Sequence, residues 1–242
     1  MLYYFFLIAF IFQSFVFAQP QHFSVEFKSN STDVLKHALS GGLTNPQYSA
    51  IDLDGDNIKD LVYFDRQGGV VVPFINQGSP NTTDYQFAPE YRYRFPRLQN
   101  WMLLRDYNCD QITDLFAYKY DTQTGKVSIT VYKASRDAQQ KILFSPAINI
   151  IEYRLKGGND YYNLFNSTVD LPAVDDIDGD GDIDILNFNN SGGYIEMFKN
   201  TSVEEGYGCD SLHYIFNDNC WGRIYESGVS EFIDLSPHID SC

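Results

Sequence analysis

Asp52-Leu53-Asp54-Gly55-Asp56-Asn57-Ile58-Lys59-Asp60 is the stretch that decides the fold. Oxygen-bearing side chains stand at its positions 1, 3, 5 and 9. The same spacing returns in Asp106-Tyr107-Asn108-Cys109-Asp110-Gln111-Ile112-Thr113-Asp114 and in Asp176-Ile177-Asp178-Gly179-Asp180-Gly181-Asp182-Ile183-Asp184. An apolar stretch precedes each cluster, at residues 48–51, 101–104 and 171–174, and a strand-like run follows it: LVYF, LFAY or ILNF. A glycine-containing turn comes next (RQGG, DTQTGK, NNSGG), then a third β-rich run (VVVPFIN, VSITVYK, YIEMFKN). Every unit has the order strand, loop, strand, turn, strand. The intervals suit a four-stranded sheet with its turns, and self-similarity at a long period marks a repeat architecture.

The loops have the chemistry of a calcium site. Calcium takes six to eight oxygens, which alternating acids on a tight loop can supply from one side. The expected ligands are Asp52, Asp54, Asp56 and Asp60; Asp106, Asn108, Asp110 and Asp114; and Asp176, Asp178, Asp180 and Asp184. Position 7 adds a backbone carbonyl, from Ile58, Ile112 and Asp182. Positions 4 and 6 call for positive φ, which Gly adopts freely and Asn tolerates. Gly55 with Asn57, and Gly179 with Gly181, comply. The middle loop has Cys109 and Gln111 there and a neutral Asn108, so it ranks weakest of up to three Ca2+ sites. An EF-hand would need a Glu at position 12, where this chain has Tyr63, Ala117 and Asn187. A lone acidic turn is ordinarily solvated surface; three with matching flanks argue for metal.

Composition agrees with a β-rich protein. Aromatic residues make up 16% of the 242, and such side chains favour pleated, half-buried surfaces. Helical periodicity is scarce, its best instance being TDVLKHAL at residues 32–39 with Thr32 as a cap. The formal net charge of -15 speaks against nucleic acid or an anionic membrane as partner, since phosphates must be met with Lys and Arg.

Residues 1–18 carry no charged side chain and end Val16-Phe17-Ala18, the pattern of a cleaved signal peptide; a membrane anchor is the alternative. No span is expected after cleavage. Cys109, Cys209, Cys220 and Cys242 fit no zinc spacing and suit an exported chain. Cys209 and Cys220 bracket DSLHYIFNDN and form a plausible pair, among three possible connectivities.

At these residues the chain resembles the FG-GAP and VCBS repeat proteins, whose calcium loops lie between the strands of β-propeller blades similar to those of the integrin α-subunit. The resemblance spans residues 40–205 and is carried by GGLTNPQYSAIDLDGDNIKDLVYFDRQG, FPRLQNWMLLRDYNCDQITDLFAY and LPAVDDIDGDGDIDILNF, which are similar to secreted repeat proteins of the Bacteroidota. It implies an all-β chain of three propeller-type blades, where a closed propeller usually has about seven, and therefore an incomplete propeller or part of a longer protein. The expected organisation is a signal peptide (1–18), a lead-in (19–39), repeats at 40–100, 101–170 and 171–205, and a cysteine-containing segment (206–242).

The expected role is calcium-dependent binding, adhesion or scaffolding outside the cell or at its surface, with a protein or glycan partner. The rival is a propeller-type polysaccharide lyase or glycoside hydrolase. His22, His37, His213 and His238 form no HExxH, and neither a GxSxG elbow nor a phosphate loop is present. Glu204-Glu205 and Glu226 with Glu231 could pair as acid and base but are explained equally well as solvated turn residues. Asn30, Asn81, Asn166, Asn189 and Asn200 begin N-x-Ser/Thr sequences that are assigned no role, because the resemblance points to bacteria. Trp221 is expected to pack over the cysteine region.

Overall fold

A computed structural model describes residues 27–29, 33–79, 83–227 and 233–235. The proposed signal segment, Asn30, Asn81, His22, His238, Glu231 and Cys242 lie outside the described residues. The chain divides into two compact units, Met1–Lys36 and His37–Cys242. In the first, Lys28 bridges Val34 antiparallel, and the Leu35 amide donates to the Phe27 carbonyl at 2.7 Å. Thr32, the proposed cap, lies outside the described residues, and over residues 33–39 the helix does not form. Val34 takes part in that bridge, and Ser40 closes a turn back onto the His37 carbonyl. A segment this short cannot repay the cost of helix nucleation.

The second unit is built of strands. β1 (Pro46–Ile51), β2 (Asp60–Asp65), β3 (Val70–Asn76) and β4 (Tyr85–Phe87) form one antiparallel sheet in chain order. β5 (Met102–Arg105), β6 (Asp114–Tyr120), β7 (Val127–Arg136) and β8 (Ile142–Ile148) form a second of the same kind. The third has six strands. β9 (Glu152–Leu155) and β10 (Tyr161–Asn163) make a hairpin, and β11 (Ala173–Asp175), β12 (Asp184–Phe188), β13 (Ile195–Asn200) and β14 (Tyr214–Asp218) follow as a meander; β9 joins β14 in parallel. Thus the third sheet takes a strand from beyond residue 205. β15 (Ile224–Glu226) and β16 (Ile233–Leu235) pair separately. The described residues are all-β, 43% strand and 5% helix, and none of their sheets closes. Among the described residues no helix is long and apolar enough to cross a membrane.

Two-residue periodicity sends alternate side chains of one strand to opposite faces, which explains how the sheets stack. On β6, Leu115 and Ala117 enter one core, shared with Ile51, Val62, Phe64 and Val71 of the first sheet. Phe116 and Tyr118, their neighbours, enter another, shared with Val174, Ile185 and Phe198 of the third. The second sheet is therefore covered on both faces, and its central strand LFAY is apolar without alternation. Trp101, fully buried, donates from Nε1 to Oδ1 of Asn166 at 2.8 Å; Asn166 donates from Nδ2 to Oδ1 of Asn187 at the same distance.

The cysteine pairing departs from the sequence expectation. Cys109 is bonded to Cys209, with Cα atoms 6.0 Å apart, so Cys209 is not paired with Cys220; Cys220 is itself disulfide-bonded. The fold brings the tip of the middle acidic loop to Cys209 across a separation of 100 residues, a proximity that chain spacing cannot reveal.

Candidate metal centre

The three acidic loops join β1 to β2, β5 to β6 and β11 to β12. All take one backbone course. Gly55 and Asn57, Cys109 and Gln111, and Gly179 and Gly181 have φ between 57° and 98°. Cys109 and Gln111 pay the steric cost that Gly avoids, so the middle loop keeps the shape without the favoured residues.

Carboxylates of the loops hold that course. Asp52 accepts from the amides of Gly55 at 2.7 Å and Asn57 at 3.2 Å, and Asp176 from those of Gly179 at 2.8 Å and Gly181 at 3.1 Å. Asp106 accepts from Gln111 at 2.8 Å. Position 5 accepts from position 7 throughout: Asp56 from Ile58, Asp110 from Ile112, Asp180 from Asp182.

Position 9 is a brace between strands. Asp60 accepts from the amides of Leu53 and Asn76, both at 2.7 Å. Asp114 accepts from Tyr107 at 3.1 Å and Ala134 at 2.6 Å; Asp184 accepts from Ile177 at 3.0 Å and Asn200 at 2.8 Å. One oxygen grips the second residue of the loop and the other the last strand of the hairpin. All three carboxylates are buried, and burial is the main cause that pushes each up to about 6 despite those amide donors.

Among the described residues, three groupings of acids offer oxygens within 4.8 Å of one another: Asp52, Asp54 and Asp56; Asp176, Asp178 and Asp184; and Asp178, Asp180 and Glu204. Burial, and then Asp56 beside it, raises the pKa of Asp54. In the middle loop no three acids meet in this way among the described residues, and Asn108 spends its Nδ2 on Asp110 at 3.1 Å. Buried oxygens without a hydrogen bond or ion pair among the described residues remain in loops two and three: Oδ1 of Asp106 and Oδ1 of Asp182. An orphaned buried carboxylate oxygen is costly, and a cation would satisfy it. The side chain of Asp182, expected to contribute only its carbonyl, is instead fully buried, with Oδ2 accepting from the Val203 amide at 3.0 Å.

Sequence reasoning missed the basic residues that attend these loops. Arg136 lies 2.9 Å from Oδ2 of Asp52, and Lys133 lies 3.2 Å from Asp110. Lys199 reaches Asp178 and Glu204, with Asp180 at 3.1 Å. Burial alone would lower its pKa, but these hydrogen bonds outweigh it and hold Lys199 well above the usual lysine value. The signal was present in the chain. Lys133 and Lys199 each directly precede the residue whose amide position 9 grips. Glu204, weighed from sequence as half of an acid pair or as a solvated turn residue, is an exposed turn residue whose carboxylate lies beside Asp178 and Asp180 of the third loop. Its neighbour Glu205 is engaged by Arg154 at 2.7 Å and by His213 at 2.9 Å.

The site is thus an all-β framework with acidic loops that could hold a metal ion. No family model, no curated protein and no solved structure matches the chain.

Proposed function

We propose that this chain is a calcium-binding repeat protein of the FG-GAP/VCBS type, with three propeller-type blades, acting outside the cell or at its surface in binding or adhesion without catalysis. The observation that carries this is the threefold recurrence of one loop framework: positive φ at positions 4 and 6, and a position 9 carboxylate gripping the same two amides. A framework that fixes backbone so closely while crowding carboxylates suits a hard cation with oxygen ligands, and flexible coordination by many oxygens favours Ca2+ over Mg2+. Asp52, Asp54 and Asp56, and Asp176, Asp178 and Asp184, would hold it. Calcium there would neutralise the loops and stiffen the strand connections. The disulfide-bonded state of Cys109, Cys209 and Cys220 favours an oxidising compartment.

The test is thermal unfolding of the purified chain in excess EDTA, in millimolar calcium and in millimolar magnesium. A ligand that binds only the folded state raises its stability. A calcium-selective rise in Tm is expected; a cooperative transition that neither ion shifts would overturn the metal assignment.

A further inference from the structure

The acidic loops sit at one end of the sheets, and a polar groove lies at the other. The β2–β3 turn, the end of β6 and the connections entering β5 and β11 meet there, since each is reached by following a strand away from its loop. They line an open depression of about 530 Å³, and a neighbouring, shallower one of about 310 Å³ shares Arg66, Gln67, Asn100 and Thr168 with it. Volumes of this order are those of small-ligand sites. In a chain with 32 acidic and 17 basic residues, neither depression is lined by a single Asp or Glu, whereas Arg66 and Arg97 both line the larger.

The two arginines are differently placed. Arg66 is half-buried and pinned: its Nε donates to the Asn100 carbonyl at 2.7 Å and its Nη2 to the Val169 carbonyl at 3.2 Å, leaving Nη1 without a partner among the described residues. Arg97 is exposed and makes no ion pair among the described residues. A pinned guanidinium beside an unengaged one is a receptor for a carboxylate, because the donors are oriented before the ligand arrives. Around them stand neutral hydrogen-bonding groups, the Gln67 and Asn100 amides and the Thr168 hydroxyl, and the ring of Tyr120 is 51% exposed. Amides and a hydroxyl suit sugar hydroxyls, and an accessible ring suits the apolar face of a pyranose.

We propose that this groove binds a uronic-acid-containing saccharide, the uronate carboxylate seated on Arg66 and Arg97 and the sugar against Tyr120. The assignment deepens the binding role proposed above and rests on it. The full chain, with calcium present, is titrated calorimetrically with a hyaluronan tetrasaccharide and with its carboxyl-reduced form, and the calcium-induced Tm rise is recorded for the same preparations. The acidic tetrasaccharide is expected to bind, and its neutral form about tenfold or more weakly. Arg97→Ala should reproduce that loss while leaving the calcium response unchanged, and Arg66→Lys should weaken binding with the charge retained. Absence of binding, equal binding of both forms, or indifference to Arg97→Ala would overturn the groove, and an intact calcium response in that sample would leave the metal loops standing. Uronate binding by a chain without a calcium response would support the groove and overturn the loops alone.

Discussion

The ammonium of Lys199 on β13 donates to the carboxylate of Asp178 in the third acidic loop, occupying with a side chain the surroundings that a cation would seek. Calcium entering this loop meets a resident positive charge also shared with Asp180 and Glu204. Lys199→Met is expected to raise the calcium affinity of this loop by at least about tenfold, since a unit charge some 4 Å away acts with kcal-scale energy even at a high effective dielectric. In EDTA the same variant should unfold at a lower temperature, its carboxylates left crowded. Calorimetric titration checks the first effect and thermal unfolding the second; unaltered calcium affinity would show that the lysine and the metal do not compete.

Asp54 and Asp60 belong to the same loop but should behave differently on substitution. Asp60 is buried and holds an amide with each oxygen, so Asp60→Asn replaces one acceptor by a donor facing an N–H. It should cost about 1–3 kcal/mol without any metal present. Asp54→Asn should leave metal-free stability nearly unchanged, or raise it slightly by relieving repulsion from Asp56, while reducing the calcium-induced rise in Tm. Chemical denaturation with and without calcium separates the two roles.

Stability of the metal-free chain should fall as pH rises. Asp60, Asp114 and Asp184 titrate near 6 when folded, raised chiefly by burial from an ordinary 3.8. The folded state therefore holds these protons more tightly than the unfolded one. The resulting stabilisation is complete below about 3.8 and is lost as pH rises through about 6. Asp110, Asp137 and Glu205 are shifted the other way and lose their contribution only in stronger acid. In EDTA, Tm should be higher at about pH 5 than at about pH 7.5, and saturating calcium should reverse the order, because bound metal requires the deprotonated carboxylates.

Replacing both Cys109 and Cys209 by Ser frees a closed loop of the middle of the chain. Chain-entropy arguments for a span of 100 residues give a loss of up to about 4.7 kcal/mol, and measured losses for native disulfides run at about 2–5 kcal/mol. Denaturant unfolding of the double variant should show that loss with an enlarged difference in exposed surface. A midpoint equal to that of the parent chain would mean that packing alone holds Cys209 beside the middle loop.

Trp101→Phe removes the indole N–H while keeping a large aromatic ring in the core. It leaves Oδ1 of the fully buried Asn166 without that donor, with an expected cost of about 1–3 kcal/mol. Asn166→Ala should cost at least as much, since both Trp101 Nε1 and Asn187 Oδ1 lose their partner. The sequence at Asn166 has the form of a glycosylation site, but a fully buried side chain bonded on both ends is inaccessible in the folded chain.

Much of this fold was legible because its signals are local. The acid spacing at Asp52, Asp54 and Asp56 foretold a tight loop, and positions 4 and 6 foretold positive φ, which Cys109 and Gln111 adopt as well. The runs LVYF, LFAY and ILNF lie within β2, β6 and β12. Less legible were the outer strands. β4 and β14 are short and come after irregular connections, while β8 contains Pro146 where its pairing with β7 shifts register. The parallel attachment of β9 to β14 joins segments about sixty residues apart and has no local signature at all. The surroundings of the Asp182 side chain were illegible for a related reason, since Val203, whose amide it accepts from, lies about twenty residues on, in the turn after β13.

The bond between Cys109 and Cys209 also sets what the molecule does under tension. A pull applied to the two ends of the chain passes directly across the sulfur atoms, and the 100-residue span between them stays slack. At about 3.3–3.6 Å per extended residue, roughly 330–360 Å of contour is withheld from extension while the bond is oxidised. The strands from β6 to β13 lie inside that span. Reduction would release this hidden length, so that the fully extended chain of 242 residues becomes longer by somewhat less than a factor of about two.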